Sequence, residues 1–433
     1  MKLATRLLRR RLGIICVASA TVLTFTGSSH AGAPAERRTA ASAAKTAPGQ
    51  AATAGELRDA PLGYRANGRA GSLVTGATAA PPFKKLWTRD SGRVVSAPVA
   101  VGGKVFAVVN ADDGTEGGPR MMLVGIDAAT GEDLWPSGQP AVRLEQNEPQ
   151  AGVAYGGGLL YTQTARGTIA AWDPATGRQK WSLKLASATM QYPPVRYDGL
   201  VYLHDGRGTA LALRADTGAK VWEAPLSEYA AAPTVVDASG VWIGFDSLGR
   251  HHLDLKTGAE PHSFHVPGVW GAYGHPVVLG AGAAWTRSDA SGDVTVIAWD
   301  QKTGKAVRKL PADATPVFGP GRVYVAHLGK VRALDSSTYK AAGTCTSSVE
   351  AATVRLVAGG YVYVEDADGR LVVLDEKTGK VTWSYRRYPE PHPRSIILAE
   401  DDARGFVVPG IATSASRLFV LSADGTLIAF GKA

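Results

Sequence analysis

The sequence predicts an all-β, eight-bladed β-propeller with four antiparallel strands per blade. Three observations carry this. A D-x-x-T-G turn recurs along the chain with its threonines 35 to 46 residues apart, the length of one blade. A tryptophan follows many of those turns at a fixed offset. The C-terminus stops one strand short of a full repeat, and a segment near residue 84 has the pattern of the missing strand.

The elements preceding the repeats come first. Lys2, Arg6, Arg9, Arg10 and Arg11 precede an apolar stretch from Leu12 to Phe25, and Ser29-His30-Ala31 supplies the small residues of a cleavage site. Residues 1–31 therefore read as a signal peptide cut after Ala31, for secretion or another extracytoplasmic location. Contact with a membrane is expected only through this leader, if it stays uncleaved. Ile15 precedes Cys16 where a lipobox has a small residue, so lipidation there is not expected. Residues 32–82 are rich in Ala, Gly, Thr and Pro and show no sustained apolar period. Such a stretch buries too little surface to offset chain entropy and reads as a disordered linker. The propeller is expected over 83–433.

Within it, the turns run Asp127 to Gly131, Asp173 to Gly177, Asp254 to Gly258, Asp300 to Gly304 and Asp375 to Gly379. In two further copies Arg214 takes the Asp position before Thr217-Gly218, and Tyr339 takes the Gly position after Asp335 and Thr338. Asp and Thr side chains accept backbone N–H bonds in a tight turn, and Gly accepts the positive φ that ends it. Apolar runs such as Leu371-Val372-Val373-Leu374 lead into the turns, and short strands ending in Trp135, Trp181, Trp222 and Trp383 lead out. These tryptophans are expected to pack between neighbouring blades. Their slot holds His262, Arg308 and Gly343 in the fourth, fifth and sixth repeats.

The ends close the ring. Gly425-Thr426-Leu427-Ile428-Ala429-Phe430-Gly431 parallels Gly167-Thr168-Ile169-Ala170-Ala171-Trp172-Asp173, after which the chain ends before an outer strand. Lys84-Lys85-Leu86-Trp87-Thr88 has the pattern of that strand, with Trp87 in the packing slot. The last blade is thus expected to be completed by the N-terminal strand 84–89, which removes exposed sheet edges.

Charge and cysteine content narrow the function. All but one unit of the net charge of +9 comes from the leader and linker, and the repeats hold 36 basic against 35 acidic residues. A phosphate-binding face is not supported, so no nucleic-acid partner is expected. Cys345 is the one thiol beyond the leader and reads as a small buried hydrophobe.

The pattern A-x-D-x-x-T-G-x-x-x-W, most complete from Ala171 to Trp181, resembles the pyrroloquinoline-quinone-type propeller repeat over about residues 84–433. That repeat occurs in quinoprotein dehydrogenases and in a non-enzymatic, BamB-like branch. The dehydrogenase resemblance implies a quinone held between a Trp and two adjacent cysteines beside calcium. This chain has no adjacent cysteine pair, and Glu145, Asn147 and Glu148 are not spaced as a calcium loop. The BamB-like resemblance implies a non-catalytic binding or scaffold module for a protein or cell-envelope partner, with no cofactor, and a monomer is expected. A quinone-dependent dehydrogenase and a carbohydrate- or cell-wall-binding propeller are the alternatives.

Partner-binding candidates come from the long connections between blades. Trp270, Tyr273 and His275 stand among glycines and prolines, and Arg386, Arg387, Tyr388 and His392 cluster after the last Trp-bearing strand. Aromatics and arginines on loops are common interface anchors. His251 and His252, adjacent in a strand, point to opposite sheet faces and do not suit one metal ion. Asp112, Asp113 and Glu116, and Glu365-Asp366-Ala367-Asp368, read as solvated turns.

Overall fold

The computed structural model describes residues 73–74 and 78–433, except 91–92, 95, 112–119, 136–140, 147–150, 165, 186–191, 227–231, 245–248, 266–276, 289–293, 343–348, 367, 387–409 and 423–424. Among the described residues every regular element is a β-strand, and the strands form eight sheets. The eight-bladed all-β expectation holds.

Blades 2 to 5 each take four consecutive antiparallel strands, within 151–184, 195–225, 235–265 and 278–311. Each inner strand lies beside the next blade's inner strand around most of the ring. The core is therefore a series of interfaces between blades. One such cluster joins Tyr202, Ala212 and Trp222 of blade 3 to Val241, Ile243 and Leu253 of blade 4.

Blade 1 has a divided inner strand. Arg93–Val94 and Val99–Val101 both pair with Lys104–Ala111, and the buried Ser96 spans the break by accepting a 2.7 Å hydrogen bond from the Val108 N–H. Blade 6 keeps three strands within 317–335, and an isolated bridge between Leu334 and Ala341 stands where the fourth strand begins. This is the blade whose turn ends in Tyr339, in the left-handed region at φ 57°, rather than Gly.

Blade 8 is the composite. Phe83–Arg89 pairs with Leu427–Lys432, with Lys85 opposite Phe430, Trp87 opposite Ala429 and a bulge at Leu86 between them. Phe83 stacks edge-on against Trp383 of blade 7, ring centroids 5.2 Å apart, and its carbonyl accepts the Trp383 indole N–H at 2.9 Å. The seam is thus sealed by aromatic packing as well as by the ladder.

Ordered contacts also begin upstream of the expected linker boundary at residue 82. Leu73–Val74 adds to blade 7 as a fifth, parallel strand, and Ala79 is buried in a cluster with Phe83, Leu356 and Tyr363. An apolar pair set between polar and glycine residues needs only a free strand edge to become ordered.

The repeat turns are built alike. In blade 2 the Asp173 carboxylate accepts the N–H groups of Ala175 and Thr176, while the Gly177 N–H donates to the Asp173 carbonyl at 2.8 Å. Blade 3 keeps that backbone bond from Gly218 to Arg214 without an acidic side chain. These N–H bonds hold Asp127, Asp173, Asp254, Asp300 and Asp375 below the ordinary aspartate range, with the Thr hydroxyl the largest cause at Asp254, Asp300 and Asp375. A carboxyl held below its unfolded value adds stability that is complete above about pH 4 and is lost as pH falls through the folded value. The difference in thermal midpoint between the unaltered protein and Asp173→Asn, which isolates one turn, is therefore expected to be flat from pH 7 to 5 and to shrink below pH 4. Calorimetry at constant ionic strength checks this, and because the turns are exposed each carboxylate's share is small.

Candidate functional site

A four-stranded blade puts its 1–2 and 3–4 turns on one face. Its 2–3 turn and the connection to the next blade lie on the other, here called the connection face. At that end the second strands of several blades carry polar residues where their neighbours carry apolar ones. Gln163, His204 and Glu365 occupy one position of the repeat, with Val108, Ala326 and Leu421 at the same position in blades 1, 6 and 8.

These residues lie on the blade face that packs against the next blade, so all three are buried. Gln163 Nε2 donates to the His204 carbonyl at 2.8 Å, tying blade 2 to blade 3. His204 Nε2 lies 2.8 Å from the Ala232 carbonyl at the entrance to blade 4, and its Nδ1 accepts the Gly206 N–H at 3.1 Å. Complete burial pushes the imidazole down to about 4. At neutral pH it is uncharged, and the bond set fixes the tautomer with the proton on Nε2. Both ring nitrogens are used, so His204 links blades and has no ring nitrogen left to act as a base.

In blade 7, Arg355 Nε lies 3.0 Å from Glu365 Oε2, and the two side chains are 4% and 0% exposed. Next to them Asp366 accepts the N–H groups of Asp368 and Arg370 at 2.9 and 2.8 Å, closing the 2–3 turn. Burial raises the Asp366 carboxyl despite those bonds. Asp205 builds the matching turn in blade 3 by accepting from Arg207 and Thr209. In blade 6 the corresponding turn is the hairpin His327-Leu328-Gly329-Lys330. The Leu328 N–H donates to Asp313 Oδ2 at 2.8 Å, and the Leu328 side chain is 75% exposed at φ 50°.

Of the sequence-derived partner candidates, Arg386 is exposed at the end of strand Val381–Arg386 and stands opposite Arg370 in the ladder. Trp270, Tyr273, His275, Arg387, Tyr388 and His392 lie outside the described residues. So do Asp112, Asp113, Glu116, Asn147, Glu148 and Cys345. The two blade 4 histidines part as alternation requires. His252 stacks on Trp242 at 4.1 Å, with its Nε2 2.8 Å from the Ser239 carbonyl, while His251 Nδ1 pairs with Glu260.

The repeat tryptophans occupy the opposite rim. The indole N–H of Trp87, Trp135, Trp181 and Trp222 donates to the carbonyl of Ala128, Pro174, Ala215 and Leu255 respectively, each the residue after the Asp position of the next blade's turn. Each ring also lies flat on that turn's glycine. A β-carbon built on Gly218 would fall 2.6 Å from Trp181, so this glycine is needed for space as well as for its φ of 72°. Blade 5 breaks the pattern on both sides at once, with Arg308 in the Trp slot lying 5.2 Å above the ring of Tyr339, the residue in the Gly slot of blade 6.

Sequence reasoning missed Gln163 and His204 of the polar tier and misread Glu365 and Asp366, expected in a solvated turn, which are buried at the end of strand Tyr361–Asp366 because Arg355 and the turn's own N–H groups satisfy them. Aligning the second strands of the repeats would have exposed Gln163, His204 and Glu365 as departures from an apolar column.

A calcium-bound quinone needs several free oxygen donors at one place. Glu365 is bound to Arg355 and Asp366 to its own turn, and among the described residues no three His, Cys, Asp or Glu side chains converge. The described donor set does not fit that group.

The sequence profile described as outer membrane protein assembly factor BamB matches residues 120–263 and 292–409. The chain is similar to outer membrane protein assembly factor BamB of Moranella endobia, at 26% identity over 291 residues, 65% of this chain and 66% of that protein. It is also similar to quinohemoprotein alcohol dehydrogenase ADH IIB of Pseudomonas putida, at 32% identity over 112 residues, 23% of this chain and 16% of the enzyme. The matches thus span less than two thirds of either relative. Among solved structures, BamB from Moraxella catarrhalis superposes with a TM-score of 0.55 at 17% identity, covering 81% of this chain and all of that one. Quinohemoprotein alcohol dehydrogenase from Comamonas testosteroni gives 0.55 at 15% identity, covering 81% and 77%. At these identities the structural likenesses speak for the fold.

Proposed function

The chain belongs to the family described as outer membrane protein assembly factor BamB, and from that membership we propose that it is a secreted, non-catalytic propeller that holds a protein or cell-envelope partner on its connection face. One observation carries the reading. The buried ionisable side chains of the described tier are used in structural bonds, His204 at both ring nitrogens and Glu365 on Arg355, while the exposed groups at that face include Arg386, a residue type common among interface anchors, and the apolar Leu328. Leu328 sharpens the point. A leucine in the left-handed region costs roughly 1 kcal/mol against Gly or Asn, so the hairpin is not made of the residues that would stabilise it best.

The reading includes export by the leader, removal after Ala31, a linker between the leader and the propeller, no resident cofactor and a monomeric state. With Ile15 before Cys16, the chain is not tethered as a lipoprotein.

Two measurements test the proposal. Purified protein given pyrroloquinoline quinone and calcium is expected to reduce no redox dye with alcohols or aldoses above the blank. Crosslinking capture from envelope extract is expected to yield a protein partner, with Arg386→Glu/Leu328→Asp reducing capture about tenfold, the loss of two interface anchors. Robust dye reduction would establish the dehydrogenase reading instead, and binding on a glycan array without protein capture would establish the carbohydrate reading.

A further inference from the structure

We propose that the channel-side edge of blade 7 is a binding site for an extended apolar peptide, and that Leu73–Val74 fills this site in the intact chain as a displaceable strand. The inference rests on the reading of the propeller as a protein-binding module and names a site that reading does not include.

The sheet order places the segment. Blade 7 runs from its inner strand Ala351–Ala358 to its outer strand Val381–Arg386, and Leu73–Val74 pairs with the inner strand on the side away from the rest of the sheet. In a propeller that side faces the central channel. The pairing is parallel, Leu73 opposite Val357 and Val74 opposite Ala358, and the segment also lies beside the inner strand of blade 6, Val317–Gly319. Inner strands carry an unpaired row of N–H and C=O groups on this edge, and strand addition is the usual way a peptide uses one.

The residues that follow are seated rather than draped. The Ala79 N–H donates to the Ser414 carbonyl of blade 8 at 3.0 Å, and Ala79 is 6% exposed. Thr78 sits on the turn of blade 7, where a β-carbon on Gly359 would fall 2.0 Å from Thr78 Oγ1, so only glycine leaves room for it. The chain is thus fixed at the channel mouth just after the strand. A strand tethered that closely acts on its edge at a high effective concentration. Among the described residues two register pairs hold it, against six in the blade 8 seam. Two pairs held mainly by tethering describe a strand that a competing peptide can replace.

The test uses the full chain and a fluorescein-labelled peptide copying residues 69–77, read by anisotropy. Leu73→Asp/Val74→Asp weakens the internal strand without touching the propeller wall. The variant is expected to bind the peptide with a Kd at least tenfold below that of the unaltered protein, and a peptide carrying the same two aspartates is expected not to bind. Hydrogen exchange gives a second readout: amides of residues 355–358 are expected to exchange faster in the variant and to slow again with saturating peptide. Equal affinity for both proteins, no binding by a variant that keeps its strand circular dichroism, or unchanged exchange would each overturn the proposal. If envelope capture by the unaltered protein still succeeds, the scaffold reading stands and only the peptide site falls.

Discussion

Trp181→Ala is expected to lower the unfolding free energy by about 3–5 kcal/mol, the range for removing a large buried aromatic from a packed core. Trp181 is 8% exposed, donates to the Ala215 carbonyl at 3.0 Å and lies on Gly218 of the neighbouring turn. Tyr161 packs 6.2 Å from it and donates to the same carbonyl at 3.4 Å. The substitution therefore removes ring contacts from both blades 2 and 3 and leaves one acceptor with a single donor. Arg308→Ala at the same slot of blade 5 makes the comparison. Its guanidinium is exposed and gains a cation–π contact with Tyr339, worth about 0.5–1 kcal/mol at such a site. Denaturant unfolding of both variants checks the ranking. A loss at Trp181 no larger than that at Arg308 would show that the blades are not held together through the tryptophan slot.

The same contrast shows what could be read from the sequence and what could not. Asp173, Gly177 and Trp181 form a local pattern whose parts need one another within a repeat length, so blade number and the closing strand could be read directly from spacing. The paired change of Arg308 and Tyr339 joins two repeats, and its meaning appears only when the Trp slot of one blade is seen to rest on the Gly slot of the next. Leu73–Val74 was hidden for a different reason. Two apolar residues in an Ala- and Gly-rich stretch carry no period, and their order comes from a strand edge nearly 300 positions away. The polar tier lay in view but looked like noise, since a single Gln or His in a strand has no local signature. Of the partner candidates, Arg386 alone falls among the described residues, at the surface where a loop residue was expected.

Arg355→Met is expected to cost about 3–5 kcal/mol, because it leaves the carboxylate of Glu365 buried without its cation. The pair sits between blades 7 and 8, at a position that other blades fill with Val108, Ala326 or Leu421. The fold therefore accepts an apolar residue in that place, and charge is not needed for packing there. This separates two readings of the pair. If Arg355 and Glu365 serve only to neutralise each other, Arg355→Met/Glu365→Leu should recover most of the loss and approach the unaltered protein, as buried ion pairs replaced by apolar residues commonly do. If the pair instead orders the Asp366 turn and the connection face, the double variant should regain stability but lose envelope capture, since the side chains that set that surface would no longer be fixed. The interaction energy from the single and double variants, measured by denaturant unfolding, distinguishes a mutual pair from two independent residues. A single variant that unfolds at the unaltered midpoint would mean the carboxylate finds another partner or becomes protonated. The tier would then be no more than a tolerated polar patch in an apolar column.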